Sequence, residues 1–188
     1  MMKLLPLSLA CLVSLAACGD PAQRYAVPAV TPLATVGISY RSVEVREVTL
    51  PTYAQLEEIF VETEDGALTS STALLWADDP TRATTLELTR ALAAITGARV
   101  ASEPWPFDSY ADVRVEVRVE EFIASARGEF RLSGQYFVAT LDGSSRDRAL
   151  PFRVSVPMAG DAGPAGIAAA RGAAMAQLAE QIARDGLR

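Results

Sequence analysis

Histidine is absent from all 188 residues. Its absence removes Ser-His-Asp and Cys-His catalysis and the common His-containing zinc sites. Cysteine occurs only at positions 11 and 18, and lysine only at Lys3, so every later basic side chain is an arginine. The formal net charge is −6. An acidic chain with scattered arginines argues against nucleic acid and gives no basic patch for anionic headgroups. Charged residues make up only 21% of the chain and hydrophobic ones 50%, enough to build a core and too apolar for wholesale disorder.

Long apolar runs are also missing, apart from Leu4 to Leu15, broken by Pro6 and Ser8. That run is well short of the roughly 20 residues a membrane-spanning helix needs, and it follows the positive Lys3 as a signal-peptide core does. Leu15-Ala16-Ala17-Cys18 then fits a bacterial lipobox: a branched apolar residue, two small ones, then the cysteine that is acylated and becomes residue one. Each buried methylene contributes about 0.8 kcal/mol, so two or three acyl chains on Cys18 anchor a protein without any spanning helix. Cys11 leaves with the leader, so the mature chain has no disulfide. Gly19 stands where an inner-membrane retention signal would carry aspartate, which favours the outer membrane, lipid-anchored and facing the periplasm.

The expected organisation is a signal peptide over 1–17, a lipidated N-terminus and Pro-containing tether over 18–34, and one α+β periplasmic domain over 35–188. Extended, that tether would hold the domain some tens of ångströms from the lipid, at about 3.1 Å per residue. "RYAVP" within it has a second reading as a short edge strand. Strand character begins near Val36 and stops at Leu50-Pro51. A hairpin follows, with Ile59 and Val61 on one arm, a turn at Asp65-Gly66, and a return strand from Leu68 to Trp76. Asp79-Pro80 supplies an N-cap and first-turn proline for a helix whose inner face carries Leu88, Leu92 and Ile95, with Gly97 placed to end it.

"DVRVEVRVEEF" alternates strictly, Val113 to Val119 on one face and Arg114 to Glu120 on the other, as a half-buried strand does. A turn near Arg127-Gly128 leads to a partner with Phe130, Leu132, Tyr136 and Val138 on one face, where Gly134 marks a bulge or a close approach. Leu150 to Val156 alternate as a further strand. Pro164 to Arg184 is an Ala-rich helix with a stripe of Ile167, Ala170, Ala174, Leu178 and Ile182, and small residues that allow close approach to the sheet. The fold class is α+β: an antiparallel sheet, or alternatively a mixed one, with two α-helices packed on one face, preceded by the tether.

Carboxylate pairs at Glu57-Glu58, Glu64-Asp65, Asp78-Asp79 and Glu120-Glu121 read as turn, cap and solvated-face chemistry rather than as a catalytic pair, a metal site or a calcium loop. No cofactor is called for. Trp105, between two prolines and beside Phe107, is either a plug for the end of the sheet or an interface ring. The charged face of 114–120 is a solvated surface, with strand addition by a neighbouring subunit as the sharper alternative.

The ordered set of the lipobox, "RYAVP", "GISYRSVEVREVTLPTY", "LLWADDP", a helix, "PW", "VRVEVRVEEF" and "LSGQYFV" resembles the ABC-type transport auxiliary lipoproteins, the PqiC (YmbA-like) family. Leu50-Pro51 with Tyr53 matches the family's Leu-Pro-x-Tyr turn, and Trp76-Ala77 its Trp-Ala. Val115, Val117, Val119 and Phe122 match its alternating strand. Two departures stand out: Ala54-Gln55-Leu56-Glu57 replaces an Asp-Arg-Pro-Gln type stretch, and Trp76-Ala77-Asp78-Asp79-Pro80 replaces Trp-Ala-Glu-Pro.

The resemblance implies a non-enzymatic accessory of an envelope lipid-transport system, supporting membrane integrity. Its implied partners are a periplasm-spanning MCE (mammalian cell entry) domain protein and an inner-membrane ABC transporter or permease. A homo-oligomeric ring would suit a docking collar. The candidate partner contacts are Leu50, Pro51, Tyr53, Trp76, Trp105 and Phe107, with Cys18 for lipidation. The alternatives are an assembly factor for an outer-membrane protein or glycolipid, and a carboxylate-dependent hydrolase with a deep cleft.

Overall fold

The computed structural model describes residues 21–30, 35–143, 146–159 and 162–188, so Cys18 and the leader lie outside the described residues. In chain order the elements are β1 Gln23–Tyr25, β2 Ser42–Val45, β3 Val61–Glu62, β4 Leu68–Thr69, β5 Leu74–Trp76, α1 Pro80–Thr96, β6 Arg99–Ser102, β7 Val113–Ser125, β8 Glu129–Thr140, β9 Arg148–Pro157 and α2 Pro164–Gln181. A wider π-helical turn, Ile182–Gly186, continues α2.

β7 is the spine. It pairs antiparallel with β8 along its whole length, and β8 pairs antiparallel with β9. Its other edge is shared: β2 runs parallel beside Val113 to Val115, Thr49 bridges to Arg118, and β3 runs parallel beside Ala124 and Ser125. β6 extends the sheet beyond β2, and β4 beyond β3. The sheet is therefore mixed, the second of the two forms expected. Because β7 is bonded on both edges, strand addition by a neighbour is not open to it. The outer strand β9 carries Pro151, whose missing N–H suits an edge.

Alternation decides which face is covered. Val113, Val115 and Val117 are fully buried, while Arg118 and Glu120 are exposed. A register shift between Val119 and Glu121 inserts one residue, which brings the even-numbered Phe122 and Ala124 onto the same face as the odd-numbered valines. Gly134 lies opposite, at φ +156°, and a Cβ there would stand 2.1 Å from the Arg118 carbonyl oxygen. Bulge and close approach, the two readings of this glycine, are both present. Phe130, Leu132, Tyr136 and Val138 complete the face that the helices cover.

α1 forms as its caps dictate. Asp79 accepts from the Arg82 amide at 2.7 Å, Pro80 opens the first turn, and Gly97 closes the helix in the left-handed conformation. Leu88, Leu92 and Ile95 are buried, each worth roughly 1.5–3 kcal/mol. In α2 the whole expected stripe is buried. Gly172, one of the small residues expected to allow close approach to the sheet, instead admits the N-terminal segment: a Cβ there would lie 2.9 Å from the Pro28 carbonyl oxygen.

Three expectations are corrected. The return strand Leu68–Trp76 is two strands, because Leu74 N–H turns back to the Ser71 carbonyl at 3.1 Å and redirects the chain. β6 was not foreseen, since four residues carry no period and its pairing partner lies over fifty residues upstream. Within the stretch expected as a tether, Gln23–Tyr25 are docked: β1 pairs in parallel with β5, Gln23↔Leu74 to Tyr25↔Trp76. The second reading of "RYAVP", as a short strand, is the one realised.

Candidate functional site

Several motif residues are committed to the fold. After Leu50, itself 3% exposed, and Pro51, a short 3-10 turn over Thr52–Gln55 aims Tyr53 at the bulge. There its hydroxyl accepts from Phe122 N–H at 3.0 Å, just past the register shift. The Tyr53 ring meets Phe60 edge-on at 5.9 Å. Burial pushes the Tyr53 phenol up, and the Phe122 amide opposes it. Trp76 is 5% exposed and lies beneath the guanidinium of Arg171, 4.6 Å from the ring centre.

Arg171 escaped the sequence reading. It is 1% exposed, also flanks Phe122 at 5.1 Å, and its Nη2 donates to Thr84 Oγ1 and Glu87 Oε1, both at 3.0 Å. Burial lowers its affinity for the proton and raises that of Glu87, each partner opposing the shift of the other. Arg171 Nε and Glu87 Oε2 find no partner among the described residues; both side chains border a recess of about 160 Å³ with Tyr25, Val27 and Arg90. The signal was its position: Arg171 is four residues after Ile167 and seven before Leu178, on the buried stripe.

Trp105 and Phe107 are brought together on a different surface. Between β6 and β7 the chain forms a loop in which Trp105 Nε1 donates to the Ser109 carbonyl at 2.6 Å and the two rings meet edge-on at 4.9 Å. The guanidinium of Arg99 sits 5.1 Å from the Phe107 ring centre. Phe107 is 44% exposed and Tyr110 89%. The base is pinned by Asp112, whose Oδ2 accepts from the Arg41 and Ser42 amides at 2.7 and 3.0 Å. Arg41, Arg99 and Tyr110 border a polar hollow of about 320 Å³ here. Leu50, Pro51 and Tyr53, at the bulge, do not join this surface.

The two ends of β7 thus differ. At its start stands the aromatic loop. At its far end, where it turns into β8, a second hollow of about 350 Å³ lies between the sheet and the start of α2, bordered by Leu74, Ala124, Gly128 and Ile167 among others. β1 begins beside Leu74, with Gln23 N–H on the Ala73 carbonyl at 2.8 Å, and the chain then runs on past Gly172. Arg24 holds it there, donating to the Trp76 carbonyl at 3.1 Å and Glu57 Oε2 at 2.8 Å.

A family model described as the ABC-type transport auxiliary lipoprotein component matches residues 25–183. The chain belongs to this family. A crystal structure of an uncharacterized protein superimposes with a TM-score of 0.71 at 20% identity, covering 86% of this chain and 97% of that one. A protein from Xanthomonas campestris does so with a TM-score of 0.69 at 19% identity, over 86% and 93%. Both show the shared fold. No curated protein matches.

For an auxiliary lipoprotein, a family of transport components rather than of enzymes, the carboxylate pairs have structural duties. Glu57 pairs with Arg24, Asp78 with Arg82, and Glu121 with Arg131, while Asp79 caps α1. Among the described residues no three His, Cys, Asp or Glu converge as a metal site, and no helix is long and apolar enough to cross a membrane. The departures from the family pattern are absorbed locally. Ala54 is buried, Gln55 Nε2 donates to the Leu50 carbonyl at 2.7 Å, and the added aspartate is half of the Asp78-Asp79 cap.

Proposed function

We propose that this chain is an accessory of an envelope lipid-transport system, anchored in the outer membrane through acyl chains on Cys18. Its aromatic loop docks a periplasm-spanning MCE-domain protein that works with an inner-membrane ABC transporter or permease. Supporting this, the family match covers nearly all of the described residues. The observation that carries the docking surface is the direction of β1. With Gln23 bonded to the body, residues 18–22 are the leash, reaching at most about 18 Å at 3.3–3.6 Å per residue. The end where β7 turns into β8 is then held towards the lipid. Phe107 and Tyr110 project from the opposite end, up to about 40 Å away along thirteen strand residues, where a partner crossing the periplasm arrives. Large exposed rings with an arginine beside them are the usual anchors of an interface.

The test is capture of the native acylated protein from gently solubilised envelopes, with bound proteins identified by mass spectrometry. Wild type is expected to recover an MCE-domain protein. A Phe107→Ala/Tyr110→Ala variant is expected to recover at least tenfold less while melting at an unchanged temperature. Recovery of an outer-membrane barrel protein alone would replace this reading with the assembly-factor one.

A further inference from the structure

The hollow at the membrane-facing end is lined mostly by apolar side chains. Its walls are Ile59, Leu74, Ala124, Met158, Ala162 and Ile167. Ser125 brings a hydroxyl, but that group is turned to Glu62 Oε2 at 3.0 Å. With that hydroxyl engaged, the side chains at the walls offer hydrocarbon a mostly apolar surface. Its size, about 350 Å³, falls in the range of small-molecule sites, roughly 300–1,000 Å³. An apolar cavity of about 150 Å³ already holds a benzene ring, so there is room for a length of one acyl chain and not for a whole lipid.

Position names the occupant. Leu74, a wall residue, is paired with Gln23, and four residues lie between Gln23 and Cys18. Gln23, beside the hollow, therefore lies within about 18 Å of the acylated cysteine, which keeps the hollow near the bilayer surface. Leu68, 41% exposed on the β3–β4 hairpin at the same end, adds an apolar contact with that surface. Arg127 stands exposed on the turn between Ala126 and Gly128, both wall residues, a cation at the rim. Acyl chains of the host bilayer far outnumber the protein's own, and the anchor needs at least two of its own chains in the membrane to hold.

We propose that this hollow receives one acyl chain of a phospholipid from the membrane to which the protein is anchored. The inference rests on the anchoring at Cys18 and deepens the functional reading: the accessory handles lipid itself, at the end opposite its docking loop. The phospholipid remains in the leaflet by its second chain, with its phosphate at the level of Arg127.

The experiment uses the purified acylated protein in vesicles of phosphatidylethanolamine and phosphatidylglycerol containing phosphatidylcholine with a diazirine in one acyl chain. Flotation comes first and reads the anchor separately from the hollow; a protein that fails to float overturns both the anchoring and this placement. Irradiation and peptide mapping are then expected to find adducts on Ala124, Met158 and Ile167. Ala126→Trp and Ala162→Trp, at the rim where a larger ring enters the hollow without disturbing the core, are expected to lower those adducts at least tenfold. Both variants are checked for an unchanged melting temperature. Adducts confined to residues before Gln23 or to Leu68, or adducts insensitive to both substitutions, would overturn the proposal. A protein that floats but carries adducts only on its own Cys18 acyl chains would leave the hollow to the protein's own anchor and overturn the proposal. Neither result would touch the partner capture, which reads the other end.

Discussion

At Gly134 a Cβ would meet the Arg118 carbonyl oxygen and the Val119 Cα at once, and both belong to backbone that β7 cannot move without losing its ladder. Tyr53 completes the arrangement from the other side by taking the Phe122 amide. The family's Leu-Pro-x-Tyr turn is thus a clasp on the bulge. Gly134→Ala adds a clash to a backbone conformation that L residues rarely adopt, and is expected to destabilise the fold by about 3 kcal/mol or more. Urea unfolding checks this through a lower midpoint at unchanged slope. A loss under about 1 kcal/mol would mean that the bulge relaxes freely.

The two helices are joined by a charge pair rather than by apolar packing alone. Arg171 on α2 reaches Thr84 and Glu87 on α1 beneath Trp76, almost without water. Removing one member of such a buried pair typically costs about 3–5 kcal/mol, because the other charge is stranded, whereas removing both is often near neutral. Arg171→Met is therefore expected to be strongly destabilising, and Arg171→Met/Glu87→Met to recover most of the loss. Thermal melts of the single and double variants decide it. A double variant as unstable as the single one would show that the guanidinium's place between Trp76 and Phe122 matters more than its charge partner.

Taken together, the elements make a molecule with two unlike ends and an ionic lattice on the open side of its sheet. Arg131 on β8 donates to both oxygens of Glu62 on β3, at 2.8 and 3.0 Å, and to Glu121 on β7 at 3.3 Å. The hydrogen bonds from Arg131, and then from Ser125, hold the Glu62 carboxyl below its ordinary range. A depressed carboxylate contributes stability above its unfolded value, near 4.3, and that contribution is lost as pH falls through the lower folded value. Glu62→Gln is expected to melt below wild type at pH 7, with the gap closing as pH drops through 4 towards 3. Melting curves across that range test the sign; a gap that widens in acid would refute it.

Much of this was legible because it is local. The valine alternation of β7, the Asp79-Pro80 start and Gly97 stop of α1, the stripe of α2 and the turn at Arg127-Gly128 each depend on neighbours within a few residues, where backbone geometry leaves a small choice. The lipobox and the order of motifs are likewise properties of the linear chain, and the family they suggested is the one that matches. What stayed hidden depends on residues far apart. β6 needs β2, β1 needs β5, and Arg171 becomes a core residue only when α1 brings Thr84 and Glu87 against it. Leu50 and Trp76 belong to the core through packing no spacing announces, while Trp105 and Phe107 stand together at one end. The apolar hollow and the course of the N-terminal segment beside it come from where β1 docks, since a cavity and a direction exist only once separate segments have packed.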